Sequence, residues 1–301
     1  MEKNLQDRAT EAAELIVRLS GQRTAPIEPM KVAEREKDQL TVIGGAFKKQ
    51  FDGQLEFHPK KRRFLMFYND KYDRAGRVGP GQHPRTRFII GHELGHFYLE
   101  RHNAYLRNGG RKHGSRGEFS SDYLVEKEAD AFASGMLMPR SLMEPLVNEC
   151  DLSIDRIEEL ARHFQTSHVS TSIRAVSLCH YPCAMVAIRN GAVAWVARSD
   201  SLVEAKIYPP SRGAFTSKSA RAQWENFRLG AAERTTATIY AQEWFKVYDR
   251  TDLGKLSVTE HFLPVPIMDT LIVLLTIPED ELARVSDFDD TDYQSDDDDE
   301  E

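Results

Sequence analysis

The chain has few cysteines, and its first residues contain no long apolar run. Cysteine occurs three times in 301 residues, at Cys150, Cys179 and Cys183. An odd number of cysteines without a secretory signal argues against a disulfide framework. The first twenty residues carry charges throughout and lack the apolar stretch that a signal peptide or a membrane span requires. We therefore expect a cytoplasmic protein with reduced thiols and no membrane partner.

A strong excess of one charge is also missing from most of the chain. The net charge is −7, but ten acidic residues lie between Asp287 and Glu301, so the rest of the chain carries about +3. That acidic tail has too little apolar surface to offset the entropy cost of ordering, and its charges repel one another. We expect residues 286–301 to be disordered, as a solubilising appendage or as a docking segment for a basic partner.

No internal repeat of fixed period is visible, so single elements must define the fold. Near the start, a helix is followed by short β-type segments, and Asp52-Gly53 is a two-residue hairpin signal. We expect a three- or four-stranded antiparallel sheet. The predicted elements are a helix over 6–19 and strands over 40–45, 46–51, 54–58 and 62–70.

Helical patterns fill the middle of the chain, and β-type patterns follow Pro182. Asn190-Gly191 signals a second hairpin, and three later apolar segments have the composition of strands. A loop rich in glycine separates the first two of the central helices. These predicted helices cover residues 84–101, 121–138, 153–164 and 168–178.

The motif His92-Glu93-Leu94-Gly95-His96 lies within the first of these helices. Residues i and i+4 share a helix face, so His92 and His96 can present two imidazole nitrogens to one ion. Glu93 lies about 100° around the helix from His92, within reach of a water bound to that ion. Zinc lowers the pKa of such a water toward about 7, and Glu93 can take its proton during attack on a peptide carbonyl. The motif therefore predicts a zinc peptidase, with surface histidines on an ordinary amphipathic helix as the alternative.

A catalytic zinc ion needs a third protein ligand, and the first candidate is His102. It falls where the longer pattern H-E-x-x-H-x-x-G-x-x-H has its last histidine, but Leu99 stands where that pattern requires glycine. If the helix continued, His102 would lie about 9 Å beyond His96 and about 240° around, pointing away from the metal.

The second candidate is Glu126. Glu126 and Asp130 are one helical turn apart, so Glu126 can ligate zinc while Asp130 accepts the free N–H of a ligating histidine. Glu128 projects about 200° from Glu126, and we interpret it as a salt-bridge or surface residue. The competing interpretation of Glu126 and Asp130 is a solvated helix face.

The segments FIIGHELGHFYLERH and VEKEADAFASGMLMP resemble the ImmA/IrrE family of bacterial metallopeptidases, and the likeness spans residues 30–180 or so. The resemblance implies an active site of a gluzincin type, composed of His92, Glu93, His96 and Glu126. The chain departs from the family pattern at Gly135-Met136 and in its long loop between the two motifs. The remaining positions that match the family are Asp130, Phe132, Ala133 and Met138-Pro139.

The resemblance also completes the predicted architecture. We expect an α+β fold with a zincin-like metallopeptidase domain over residues 1–180, containing a small antiparallel sheet, active-site helices and a helix-turn-helix-like segment at 151–178. A β-rich C-terminal module over residues 181–285 follows, with a regulatory or substrate-recognition role, and then the acidic tail over 286–301.

Two other segments allow both a structural and a functional interpretation. The helices at 153–164 and 168–178 could bind DNA as a helix-turn-helix, but the second has few cations, which favours packing within the fold. Cys179, His180 and Cys183 could be soft metal ligands, but a fourth is not recognisable, which favours buried thiols. The sequence does not choose among four candidates for oxyanion stabilisation, namely Tyr98, Tyr105, His113 and Tyr123.

We therefore expect a zinc-dependent endopeptidase in which His92, His96 and Glu126 hold Zn²⁺, Glu93 is the general base and Asp130 orients a histidine. The family resemblance implies site-specific cleavage of a helix-turn-helix transcriptional repressor, in a stress response or a mobile-element switch. The alternative hypothesis is a non-proteolytic, metal-containing regulator that binds a repressor or DNA.

Overall fold

The computed structural model describes residues 2–47, 51–110, 113–115, 124–214, 216–247, 252–278 and 281. The chain divides into two compact units. The first comprises residues 1–146 and 158–171, and the second comprises 147–157 and 172–301. The predicted division into domains at residue 180 stays a prediction. The predicted acidic tail at 286–301 lies outside the described residues.

Helices dominate the chain up to residue 178, as the sequence predicts. Among the described residues, no helix is both long enough and apolar enough to cross a bilayer. In chain order the helices are α1 (Glu2–Leu19), α2 (Pro29–Arg35), α3 (Lys71–Gly76), α4 (Pro84–Tyr98), α5 (Glu100–Arg107), α6 (Leu124–Leu137), α7 (Arg140–Val147), α8 (Ile154–Phe164), α9 (His168–Leu178), α10 (Asp200–Glu204) and α11 (Lys218–Arg228).

The strands form one sheet in each unit. The first sheet has the order β1-β3-β2-β4, and the second has the order β6-β5-β9-β8-β7. The strands are β1 (Leu40–Gly45), β2 (Gly53–His58), β3 (Arg63–Asn69), β4 (His113–Ser115), β5 (Cys183–Arg189), β6 (Ala192–Arg198), β7 (Thr235–Tyr240), β8 (Ser257–Val265) and β9 (Thr270–Thr276). The α+β class expected from the sequence is confirmed.

The first sheet corrects two details of the prediction. β1 pairs with β3 in parallel, with Leu40 opposite Phe64, so the sheet is mixed rather than antiparallel. The expected hairpin about Asp52-Gly53 is wrong, because β2 begins at Gly53 itself and its antiparallel partner is β3, with Gly53 opposite Tyr68. Of the predicted strand over 46–51, residues 46, 47 and 51 lie in no strand, and residues 48–50 lie outside the described residues.

The second unit contains the hairpin that the sequence predicts. Asn190 and Gly191 have φ values of 51° and 74°, the left-handed geometry that a tight two-residue turn between β5 and β6 requires. β5 and β9 are buried on both faces, which explains their continuous apolar sequences. The core on this sheet includes Trp224 of α11, which the sequence analysis did not predict as a helix.

The core of the first unit fixes the position of α4. Ile90 and Leu94 of this helix are buried with Phe64 and Met66 of β3 and with Phe132 of α6. Burying each such side chain contributes about 1.5–3 kcal/mol to the free energy of folding. The helix that carries the histidine motif is therefore held between a sheet and a second helix, rather than exposed on the surface.

Candidate metal centre

Local sequence sets both ends of α4. Pro84 occupies its first turn, and the side chain of His83 accepts a hydrogen bond from the Arg85 backbone N–H at 3.2 Å. The helix ends at Tyr98 because Leu99 turns to an extended conformation, with φ −70° and ψ 113°. The prediction of a helix continuing to residue 101 is corrected here, since a separate helix, α5, begins at Glu100.

The helices α4 and α6 approach closely because α4 carries glycine at the crossing. A Cβ atom on Gly95 would lie 3.2 Å from the Cα of Ala129, and one on Gly91 would lie 3.3 Å from the Cβ of Ala133. These small residues bring the two backbones together, so that the acidic start of α6 faces the histidines of α4. Gly95, one of the two variable positions of the motif, thus has a packing role.

The side chains of His92, His96 and Glu126 converge, and all three are buried. Their potential ligand atoms lie within 4.8 Å of one another. The Nε2 atoms of His92 and His96 are 3.1 Å apart, and the Glu126 carboxylate oxygens lie 3.3 Å from the first and 3.5 Å from the second. Among the described residues, no other group of three histidine, cysteine or acidic side chains is arranged in this way.

This donor set fits a tetrahedral metal ion. Ligand atoms at about 2.0–2.1 Å from a tetrahedral zinc ion are separated from each other by about 3.3 Å, close to the three separations observed here. Two imidazole nitrogens and one carboxylate oxygen are also the donor types that zinc accepts. The buried cluster of His92, His96 and Glu126 could therefore hold a metal ion and leave a fourth position for water.

Asp130 lies behind His92, where the sequence analysis places it. Its Oδ1 is 2.8 Å from Nδ1 of His92, so Nδ1–H donates to the carboxylate and Nε2 turns toward Glu126 and His96. Burial favours the neutral imidazole, but the hydrogen bonds to Asp130 and Glu126 raise the pKa of His92 well above its ordinary value. The hydrogen bond to Asp130 holds the His92 ring in the orientation that directs Nε2 toward the cluster.

His102 lies elsewhere than the sequence analysis expects. The bend at Leu99 brings its Nδ1 to 3.1 Å from Nδ1 of His96, on the opposite side of that ring from Glu126. The expectation that its side chain points away from the site assumed an unbroken helix, and that assumption is wrong. His102 is not part of the three-residue cluster, but it contacts one of its members directly.

Glu128 forms a salt bridge with Arg101, which is one of the two interpretations that the sequence allowed. It is not a surface residue, because it is buried and accepts hydrogen bonds from two side chains. Its Oε2 lies 2.6 Å from Nε2 of His102, and Arg101 contacts both of its oxygens, at 3.0 and 2.8 Å. Burial lowers the pKa of His102 below its ordinary value, although the Glu128 carboxylate opposes this.

Glu93 is buried on α4 and lies against the first residue of β2. A Cβ atom on Gly53 would be 2.5 Å from Oε1 of Glu93 and 2.7 Å from Cγ2 of Ile89. Glycine is favoured at this strand position because a side chain would overlap Glu93 and Ile89. Backbone strain is not the reason, because the φ of Gly53 is ordinary. The sequence predicts Gly53 as a turn residue, and its contact with Glu93 has no local signal in the sequence.

An ion-pair cluster adjoins Gly53. The buried carboxylate of Asp52 contacts Nζ of Lys71, and it accepts hydrogen bonds from Nη2 of Arg85 and the hydroxyl of Tyr72, both at 3.2 Å. Burial tends to raise the pKa of Asp52, but the two cations outweigh it and lower the pKa. This cluster joins the start of β2 to α3 and α4.

The structure places two of the four oxyanion candidates. The hydroxyl of Tyr98 donates to Oε1 of Glu36 at 2.8 Å, and burial followed by that contact raises the pKa of Tyr98. Tyr105 is 58% exposed on α5. The side chains of His113 and Tyr123 lie outside the described residues.

The remaining sequence candidates show packing features. Cys179 and Cys183 are buried, and the Cys183 thiol donates a hydrogen bond to Cys179, which lowers the pKa of the latter. His180 is exposed. On α9, Arg174 is buried, as are most residues of that helix, which favours packing over DNA binding.

The comparisons with known proteins extend this picture. Residues 82–175 match the model of the IrrE N-terminal-like domain, peptidase family M78. Among solved structures, the chain is similar to a Mycobacterium tuberculosis transcriptional regulator, with 13% sequence identity and a TM-score of 0.53, over 92% of this chain and 90% of that one. At this identity the likeness concerns the fold alone. A search of curated proteins found no match.

Proposed function

We propose that this chain, whose residues 82–175 match the IrrE N-terminal-like peptidase domain, is a zinc-dependent endopeptidase. The proposed ligands are His92, His96 and Glu126, and the proposed general base is Glu93. The single observation that carries the proposal is the buried convergence of His92, His96 and Glu126, whose imidazole nitrogens and carboxylate oxygens lie 3.1–3.5 Å apart.

In the proposed mechanism, the zinc ion and the protein side chains have different roles. A bound zinc ion would lower the pKa of a water ligand and polarise the scissile carbonyl. The Glu93 carboxylate takes a proton from the water as its oxygen attacks the carbonyl carbon, and it then delivers that proton to the departing amine nitrogen. Asp130 keeps His92 in the tautomer that directs Nε2 toward the site.

Replacing Glu93 by Gln tests the proposed catalytic role. The amide cannot accept the proton, but it leaves all three proposed ligands in place, so zinc content should be kept and hydrolysis abolished. Zinc per chain is measured by mass spectrometry of the metal, and cleavage is measured on a mixed peptide library from the new N-termini. The exposed Glu100→Gln is the matched control. Undiminished cleavage by the Glu93 variant would reject the mechanism.

For the substrate, we propose a helix-turn-helix transcriptional repressor. The support is the likeness to the IrrE N-terminal-like peptidase domain. The residues before Asp287 carry a net charge of only about +3, which favours a protein substrate over nucleic acid. The probe is a panel of purified helix-turn-helix repressors from the same genome, each incubated with the zinc-loaded enzyme. One defined cut is expected, absent with Glu93→Gln.

A non-proteolytic regulator that binds a repressor or DNA would behave differently. In that case the Glu93→Gln variant would retain the full biological output of the wild-type chain, because binding does not need the general base. Loss of that output in cells producing Glu93→Gln at wild-type abundance is the outcome expected for an enzyme.

A further inference from the structure

We propose that His102 is a positioning residue for His96, and that Glu128 and Arg101 hold His102 in place. This inference rests on the proposed function, because it concerns the same metal site. It assigns a role to three residues that neither contribute to the three-ligand cluster nor act as the general base. The chain of contacts runs from His96 through His102 and Glu128 to Arg101, with polar distances of 3.1, 2.6 and 2.8 Å.

The direction of each hydrogen bond follows from the requirement that His96 bind a metal through Nε2. A ligating Nε2 carries no proton, so the neutral ring must carry its proton on Nδ1. That N–H faces Nδ1 of His102, which must therefore accept. The proton of His102 is then on Nε2, 2.6 Å from Oε2 of Glu128, and the carboxylate accepts it. Every group in the chain thus has one consistent role.

The hydrogen bonds between His96, His102 and Glu128 are shielded from water. His102 is 4% exposed and Glu128 is 5% exposed, so bulk water cannot replace either partner freely. Arg101 is different, since its side chain is 59% exposed and its charge stays hydrated while it contacts both Glu128 oxygens. Arg101 therefore contacts the acceptor oxygens of Glu128 without being buried itself.

The bend at Leu99 is stabilised by a hydrogen bond, and it lets His102 reach His96. The amide of Asn103 donates to the carbonyl of Phe97 at 2.6 Å, which satisfies a carbonyl at the end of α4. With that carbonyl satisfied, α5 can begin at Glu100 and return His102 toward His96. The two proposed histidine ligands differ in their partners. His92 donates directly to the carboxylate of Asp130, whereas His102 lies between His96 and the carboxylate of Glu128.

Two substitutions of similar shape separate positioning from simple packing. Asn at position 102 keeps an oxygen near the place of Nδ1, whereas Leu has a similar outline and accepts no hydrogen bond. Loss of an outer-shell partner typically weakens metal affinity by about 10–100-fold. We expect that loss of zinc affinity for His102→Leu, and recovery of most of it for His102→Asn, in chelator competition on the full chain. The half-buried His261→Leu, in the other unit, is the control.

A spectroscopic measurement reports the tautomers directly. In zinc-loaded wild-type protein with ¹⁵N-labelled histidine, NMR should show His96 protonated on Nδ1 and His102 protonated on Nε2. A residue with only a packing role would not fix the tautomer of its neighbour. Observation of His102 protonated on Nδ1 would overturn the proposal.

The outcomes for the two proposals can be told apart. If the wild-type chain bound no zinc, the proposed function would fall and this role with it. If wild-type zinc binding were tight and His102→Leu matched it, or if the Leu and Asn variants lost affinity equally, the positioning role alone would be rejected. Graded affinities in the order wild type, Asn, Leu support it.

Discussion

Gly53 at the start of β2 lies directly beneath the carboxylate of Glu93, and any side chain at that position would overlap it. A Cβ atom on residue 53 would lie 2.5 Å from Oε1, a distance that real Cβ contacts essentially never show. A strand residue outside the metal cluster therefore determines where the proposed general base can lie.

The first prediction concerns Gly53→Ala. The added methyl should displace Glu93 without touching any proposed zinc ligand, so zinc affinity should stay near that of the wild type. A displacement of about 1 Å can cost about 100-fold in turnover, and we expect kcat to fall by about 10–100-fold. Steady-state cleavage and chelator competition on the same preparation measure the two effects.

Gly45→Ala provides the control, because a Cβ there would meet Phe47 only at the ordinary distance of 3.5 Å. It should leave kcat unchanged. Normal turnover by Gly53→Ala, in a folded protein, would show that Glu93 is not constrained by this strand.

The second prediction concerns the Asp52 ion-pair cluster and acid. The pKa of Asp52 is lowered in the folded state, because Lys71 and Arg85 outweigh the opposing effect of burial. A lowered pKa contributes stability that is present above the unfolded value of 3.8, and that stability is lost as the pH falls through the folded value. Asp52→Asn should therefore destabilise the fold more at pH 7 than near pH 3, which lies below the unfolded value.

The expected loss at pH 7 is about 1–2 kcal/mol, allowing for the partial exposure of both cationic partners. Urea unfolding of metal-free protein at pH 7 and near pH 3 measures the difference between variant and wild type. The exposed Asp38→Asn should show no such difference at either pH. A destabilisation by Asp52→Asn that was equal at both pH values would contradict the ion-pair account.

The third prediction concerns Asp130→Asn. The amide oxygen can still accept from His92 Nδ1, but the negative charge that strengthens this hydrogen bond is lost. We expect zinc affinity to fall by about tenfold, and by more for Asp130→Ala, within the usual range for outer-shell partners. Chelator competition is the measurement, with the exposed Asp155→Asn as control. Unchanged affinity in Asp130→Ala would remove Asp130 from the site.

The sequence predicted the helices that carry the candidate site and the hairpin of the second sheet, because their patterns are local. The helix bearing His92 and His96, the helix bearing Glu126 and the hairpin at Asn190-Gly191 all follow from spacing within a few residues. The geometry that joins the first two helices depends on the close approach of Gly95 to Ala129, which no local pattern encodes.

The pairing of β1 with β3 and the position of His102 could not be predicted, because neither depends on a local sequence pattern. The parallel pairing of β1 with β3 joins segments that are far apart in the chain, whereas the hairpin signal at Asp52-Gly53 is purely local. The return of His102 toward His96 depends on an extended Leu99, and non-glycine residues adopt that conformation without any signature in the sequence. Reasoning from the missing glycine therefore placed His102 incorrectly.

The identity of the third ligand is the central claim, and zinc affinity in the Glu126→Ala variant tests it most directly. The account predicts that the wild-type chain binds one zinc ion tightly and cleaves peptide, whereas Glu126→Ala loses most of its zinc affinity and its cleavage while remaining folded. Wild-type zinc affinity and turnover in Glu126→Ala would show that another residue holds the ion, and would contradict the account.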